Sequence, residues 1–198
     1  MSAPPKTVLT ATQEEEAAIR AAVRRLAAEG GVRPEHAPGL TALLADPRVS
    51  DPIYDLPRPI TQESVARWVA ESAALGERGE CLMTVTLDEA GEVGGYSRIT
   101  VWPERSSAEI AGAMRADRQN SGQGGAGVAR AAHLMFEVMG VRLIGLTAAL
   151  DNVRSAKAID AAGFVRMGER ESVRPDGSIR RSIYWELSRD EWVRTHRL

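Results

Sequence analysis

The chain has 198 residues, which suits one ordinary domain with a sizeable core. Its 25 basic and 27 acidic side chains give a formal net charge of -2, so the sequence lacks the basic excess of a general nucleic-acid-binding protein. Cys81 is the only cysteine, which excludes an internal disulfide and a cysteine-rich metal cluster, and we expect one domain over 1–198 without a metal.

The first third of the sequence is predicted to be mainly helical. Thr7–Ala11 is rich in β-branched residues and could form a short strand. Gln13–Ala28 carries its acids first and its arginines late, as the helix macrodipole favours, and two glycines follow it. A short helix is predicted over Gly39–Ala45, and a longer one after Thr61, a suitable N-cap.

From Cys81 onward the pattern changes to strands. Two runs joined by a turn over 88–91 predict a hairpin, and a third strand covers Ala108–Ala116. Ala126–Met139 is then helical, with Gly140 as its C-cap. A strand, a short helix and a final hairpin complete the chain, over Val141–Leu150, Arg154–Ala162 and the residues from Phe164 onward.

A glycine-rich segment joins the third strand to the helix that follows it. Such a junction can bind phosphate, because unpaired amides at the helix start point at the anion. The same residues could instead form only a flexible loop. Gly122–Gly127 also fits the dinucleotide pattern G-x-G-x-x-G, with Asp151 further on. Only about seventy residues follow Gly127, too few for the several βαβ units of that fold, which disfavours an oxidoreductase.

A second interpretation of the loop is more specific. Gln119–Gly124 has the form Q-x-x-G-x-G and resembles the acetyl-CoA loop of the GNAT superfamily. Asn152-x-x-Ser155, followed by Gly163-Phe164, resembles the N-x-x-S…G-F signature of the ribosomal-protein acetyltransferase (RimJ/RimL-like) branch. Three further pairs match the family in the same register: Glu109-Ile110, Phe136-Glu137 and Asp151-Asn152.

The resemblance implies an α+β GNAT fold, in which helices flank a mixed, mostly antiparallel twisted sheet of six or seven strands. Region 80–187 would bind acetyl-CoA, and the mainly helical region 1–78 would lie on the acceptor side. Main-chain groups of Met114, Arg115 and Ala116 would meet the pantetheine arm. The amides around the pyrophosphate would be those of Gln119, Gly122, Gln123, Gly124 and Gly125.

The resemblance also implies candidates for catalysis. Asn152 would bind the pantetheine amide, and Ser155 would contact the cofactor and protonate the leaving sulfur, although this pair could simply cap a helix. Glu109 is the candidate general base, directly or through water, although it could be a solvated or salt-bridged carboxylate. Many relatives outside this branch have a tyrosine four residues before the glycine of the G-F pair. Ile159 stands there in this chain, which leaves Ser155 as the acid.

The expected reaction is direct attack of a primary amine on acetyl-CoA in a ternary complex, with a protein, peptide or small-molecule amine as the acceptor. The alternative is a non-catalytic acyl-CoA-binding regulatory protein. No apolar run reaches about 18 residues and no apolar leader is evident, so we expect a cytoplasmic monomer or homodimer without membrane or nucleic-acid partners.

Aromatic residues and the cysteine are expected to have mainly structural roles. Trp68, Trp185 and Trp192 are expected in the core, and Cys81 is expected to be an inert apolar residue. Tyr96 and Trp102 lie where family members bind the acceptor and could line that pocket.

Overall fold

The structure, a computed structural model, describes residues 3–118, 124–174 and 177–196. Within them the chain forms seven α-helices and six β-strands. The helices are α1 (Gln13–Gly30), α2 (Ala37–Leu44), α3 (Pro47–Ser50), α4 (Gln62–Arg78), α5 (Gly124–His133), α6 (Val153–Ala161) and α7 (Arg189–His196). The strands are β1 (Cys81–Leu87), β2 (Val93–Trp102), β3 (Ser107–Met114), β4 (Leu143–Ala149), β5 (Val165–Val173) and β6 (Ile179–Ser188).

Capping residues explain where the long helices begin and end. The Thr12 hydroxyl accepts a hydrogen bond from the Glu15 amide (3.1 Å), and the Glu15 carboxylate accepts one from the Thr12 amide (2.8 Å). Thr61 caps α4 as predicted, and Gly79 ends that helix in the left-handed conformation (φ 77°), which glycine adopts at little cost. Beyond α5 the helix continues as a π-helix over Leu134–Met139 and ends at Gly140, the predicted C-cap.

The prediction of a strand over Thr7–Ala11 is wrong. The segment pairs with no strand of the described chain, and side chains and one loop carbonyl bind several of its main-chain groups instead. The amide of Thr7 donates to Glu186 (2.9 Å), and the carbonyl of Thr10 accepts from Arg142 (2.6 Å). The amide of Ala11 donates to the carbonyl of Glu104 (3.0 Å).

The strands form one sheet in the order β1-β2-β3-β4-β6-β5. β3 and β4 are parallel, and the other neighbouring pairs in the described chain are antiparallel. This mostly antiparallel sheet flanked by helices confirms the predicted fold class. β3 and β4 pair only from Ser107 with Leu143 to Glu109 with Gly145, although both strands continue for several more residues. The two strands therefore diverge beyond Glu109 and leave a gap in the middle of the sheet.

The two faces of the sheet differ in character. One face is apolar and packs against α1, α5 and α6 in a core that includes Ile144, Phe136 and Trp185. On the other face, α2 and α4 cover the β1–β2 end around Cys81 and Met83, and polar side chains occupy the β3, β4 and β6 positions. No helix in the described part of the chain is long and apolar enough to cross a membrane.

The predicted core positions of Trp68, Trp185 and Trp192 are confirmed, since all three are buried. Cys81 is also buried, and this burial raises the pKa of its thiol, as expected for an inert residue. Tyr96 does not line an open pocket. It is buried in the core, where its ring packs edge-on against Trp68 with the centroids 5.3 Å apart.

Candidate functional site

The gap between β3 and β4 exposes one edge of β3. The antiparallel pairing with β2 makes the main-chain groups of β3 face β2 and the gap alternately. The amide of Arg115 donates to the carbonyl of Gly94 (2.9 Å), so Arg115 faces β2. By alternation, the main-chain groups of Gly112 and Met114 point into the gap.

The three residues predicted to contact the pantetheine arm at the end of β3 are therefore not equally well placed for it. The main chain of Met114 points into the gap, whereas the Arg115 amide is already bonded within the sheet, and Ala116 begins a 3-10 turn beyond the strand. The side chain of Arg115 pairs with Asp117 (2.8 Å) and Asp88 (3.0 Å), which compensate its charge. Of these residues, Met114 fits the predicted main-chain contact best.

The glycine loop is described only at its end. Gln119, Gly122 and Gln123 lie outside the described residues, and their predicted contacts stay predictions. Gly124 and Gly125 form the start of α5. The first amides of an α-helix have no acceptor within the helix, so this position suits an anionic group.

Glu109 lies at the apex of the gap, where the pairing of β3 and β4 ends. Its residue is only 7% exposed, which excludes the alternative of a solvated carboxylate. The hydroxyl of Tyr54, from the segment between α3 and α4, donates to Oε2 (3.4 Å). The hydroxyl of Thr147 on β4 donates to Oε1 (3.5 Å). Both contacts are long, at the upper limit of hydrogen-bond distances.

Charged residues that sequence reasoning missed lie on the same sheet face as Glu109 or pack against it. Arg98 on β2 lies 3.8 Å from Asp55, and both side chains are largely buried. Arg180 on β6 is buried and stacks on Tyr54, with its Cζ atom 4.9 Å from the ring centroid. Arginines at inward-facing strand positions were a usable signal, because buried charges require specific partners.

The N-terminal segment closes the neighbouring part of this face. The amide of Lys6 donates to the Tyr184 hydroxyl (2.9 Å), and the Tyr184 hydroxyl donates to Glu186. Burial acts to raise the pKa of Glu186, but the hydrogen bonds from Thr7 and Tyr184 outweigh it, and the pKa lies below its usual value. An added Cβ at Gly145, the partner of Glu109, would come within 3.2 Å of Pro5, so the segment passes close to the apex of the gap.

Asn152 and Ser155 lie just beyond the end of β4. Asn152 caps α6, because its Oδ1 atom accepts a hydrogen bond from the amide of Ser155 (3.1 Å). The helix-capping interpretation therefore holds for Asn152. The contact uses the amide of Ser155 and not its hydroxyl, and the residue is half-buried. Ile159, at the position where many relatives outside this branch have a tyrosine, is buried in the core.

A separate cavity of about 840 Å³ lies beside the end of β3. Its walls include Gly39 and Leu43 from α2, Val93 from β2, and Arg115. Glu109 is not among its lining residues, so this cavity is distinct from the apex of the gap.

Solved structures share this fold. The RimJ protein of Mycobacterium smegmatis, in complex with CoA-disulfide, is 21% identical over 81% of each chain, with a TM-score of 0.68. The ribosomal-protein-S5-alanine acetyltransferase of Vibrio fischeri is 17% identical over 81% of this chain and 92% of its own, also with a TM-score of 0.68. The microcin C7 self-immunity acetyltransferase MccE, in complex with acetyl-CoA and AMP, is 13% identical over 79% of this chain and 89% of its own, with a TM-score of 0.66.

The sequence comparisons are of two kinds. No curated protein sequence matches the chain. The family model described as an acetyltransferase (GNAT) domain matches residues 31–165, which is more than half of the chain. The diverging strands, the helix that begins at the glycine loop and this match lead to one conclusion: the protein belongs to the GNAT family of acetyltransferases.

Proposed function

We propose that this protein is an N-acetyltransferase that transfers the acetyl group of acetyl-CoA to a primary amine within a ternary complex. The observation that carries the proposal is the position of Glu109, a buried carboxylate at the apex of the gap between β3 and β4. A carboxylate there can accept the proton that the amine must lose.

The described residues fit acetyl-CoA. Main-chain groups of Gly112 and Met114 point into the gap and can bond to an amide-containing arm, as an added strand would. The start of α5 at Gly124 and Gly125 can bind a pyrophosphate through amides and the helix dipole. Acetyl-CoA would supply the acetyl group as a thioester, which an amine can attack without a metal.

The pKa of the acceptor amine sets how much Glu109 must contribute as the base. Deprotonating a lysine-like amine at pH 7 costs about 4 to 5 kcal/mol, whereas an α-amine costs only about 1 kcal/mol. An α-amine therefore requires less of the base. Glu109 accepts this proton directly or through a water, while Tyr54 and Thr147 orient its two oxygens.

Asn152 and Ser155, just beyond the end of β4, act on the cofactor. Asn152 can cap α6 through Oδ1 and still donate from its amide nitrogen to the pantetheine arm. The Ser155 hydroxyl can donate to the departing sulfur. The N-x-x-S…G-F pattern and the RimJ and S5-acetyltransferase neighbours support membership of the RimJ/RimL-like branch.

An acetyl-transfer screen tests the proposal. Purified protein is incubated with acetyl-CoA and chemically distinct amines, thiol release is followed, and products are identified by mass spectrometry. We expect acetylated product with at least one amine class and a raised melting temperature in acetyl-CoA. Stabilisation by acetyl-CoA without turnover on any amine would instead identify a non-catalytic acyl-CoA-binding protein.

A further inference from the structure

Arg180 is a buried cation whose contacts are all with uncharged groups. Its residue is 7% exposed. The Nε atom donates to the Ser182 hydroxyl (2.9 Å), and Nη1 donates to the carbonyl of Pro52. Among the described residues, no oxygen accepts a hydrogen bond from Nη2, and no carboxylate lies within 4.0 Å of the guanidinium.

Burial without a carboxylate in direct contact is costly for a guanidinium. Removing a cation from water loses hydration energy that neutral acceptors replace only in part. This burial lowers the pKa of Arg180. Asp55 and Glu109 attract the guanidinium without touching it, and Arg174 repels it. The two carboxylates make their close contacts elsewhere, Asp55 with Arg98 and Glu109 with Tyr54 and Thr147. A ligand anion would complete the set of partners around Arg180.

Tyr54 places this cation beside the candidate base. Its hydroxyl contacts Glu109 and its ring face contacts Arg180, so one aromatic side chain touches both charged groups. The site thus has a negative end at Glu109 and a positive end at Arg180. A small molecule with an amine at one end and an anion at the other matches this order of charges.

We propose that Arg180 binds a carboxylate of the acceptor, so that the acceptor is a free amino acid or dipeptide. This inference rests on the proposed function for the assignment of the amine to Glu109. The planar guanidinium matches a carboxylate through two parallel hydrogen bonds. A polyamine has no anion to pair with Arg180 and would place a second cation beside it.

Binding measured apart from turnover tests the assignment. The full chain is saturated with CoA and titrated in a calorimeter with free amino acids and dipeptides, each beside its C-terminal carboxamide. We expect at least one acid to bind about 10- to 100-fold more tightly than its amide, since each tenfold change corresponds to the loss of one good charge-assisted contact. O-phosphoethanolamine is included as an amine that carries a phosphate.

Two variants and one control connect the preference to Arg180. R180Q should abolish the difference between acid and amide, and R180K should retain part of it because the charge remains. R181Q is the matched control: Arg181 is the next residue on β6, exposed and paired with Glu169. It should keep the full preference. Melting curves check folding, and R180K provides the test if R180Q does not fold.

The outcomes separate this inference from the proposed function. Equal binding of acids and amides, no binding of any acid, binding of O-phosphoethanolamine alone, or an unchanged preference in R180Q and R180K would each overturn the role of Arg180. Carboxylate-dependent binding without acetyl transfer would support Arg180 and reject the proposed N-acetyltransferase activity. Acetyl transfer to amines with and without a carboxylate alike would support the N-acetyltransferase activity and reject the role of Arg180.

Discussion

Replacing Glu109 by glutamine removes the candidate base and keeps the shape of the side chain. Loss of a positioned general base lowers turnover by about 10²- to 10⁴-fold. That range corresponds to about 3 to 5.5 kcal/mol of transition-state stabilisation. The contacts that the carboxylate makes with Tyr54 and Thr147 are long, at 3.4 and 3.5 Å, and glutamine retains one acceptor oxygen. We therefore expect the weakening of either contact to change the free energy of unfolding by about 1 kcal/mol or less.

The assay compares kcat, the dissociation constant for acetyl-CoA and the melting temperature of E109Q with those of the wild type, using an amine found in the screen. A large loss of kcat with an unchanged dissociation constant is expected, because in the proposed reaction Glu109 acts on the acceptor amine and not on the cofactor. A kcat within about threefold of the wild type would refute the role of Glu109 as base.

Glu186 provides the matched control for this experiment. It is a second buried glutamate on the same sheet face, but its carboxylate accepts from the amide and hydroxyl of Thr7 and from the hydroxyl of Tyr184. E186Q should therefore lose about 2 to 3 kcal/mol of stability, since charge-assisted hydrogen bonds exceed neutral ones by about 1 kcal/mol each. That loss lowers the melting temperature by roughly 4 to 12 °C. Turnover at a temperature where the variant is folded should change little.

Glu186 should also make the stability of the protein depend on pH, because its pKa is lower in the folded than in the unfolded state. Its contribution to the free energy of unfolding is present above the unfolded pKa of about 4.3 and is lost as the pH falls through the folded pKa. Denaturant unfolding between pH 3 and 6 should show a flatter curve for E186Q, and parallel curves would contradict this assignment. Gly124→Glu should weaken acetyl-CoA binding about a hundredfold, because it places a negative charge at the start of α5, where the phosphates would bind. Gly127→Ala is its control: an added Cβ there meets nothing within 4 Å, so affinity should be preserved and the helix stabilised by about 0.5 to 1 kcal/mol. Calorimetry and melting curves measure both variants, and unchanged affinity in G124E would exclude the helix start as the phosphate site. Ser155→Ala should lower kcat by about tenfold or more with little change in acetyl-CoA affinity, and an undiminished rate would limit Ser155 to a structural role in α6.

Local signals were sufficient for most of the helices and for the β1–β2 hairpin. Thr12 with Glu15, Thr61 and the terminal glycines act within one turn of the residues they cap, so their effect can be predicted from neighbouring letters. The change in the pattern of apolar and polar residues similarly predicted the change to strands at Cys81. Thr7–Ala11 was predicted wrongly because its hydrogen-bond partners, such as Glu186 and Arg142, lie far away in the sequence.

The sequence by itself determined the order of most elements from Gln13 onward. It also predicted a phosphate-binding loop and, through the family resemblance, named Glu109, Asn152 and Ser155 as candidate site residues. Only the tertiary structure decided where β3 and β4 separate, because that depends on which residues of two distant strands pair. It also decided that Tyr54 and Arg180 lie beside Glu109, since a loop and a strand from opposite halves of the chain meet over one sheet face. Periodicity and capping describe a chain only within a few turns, whereas charged side chains from distant segments are brought together by packing.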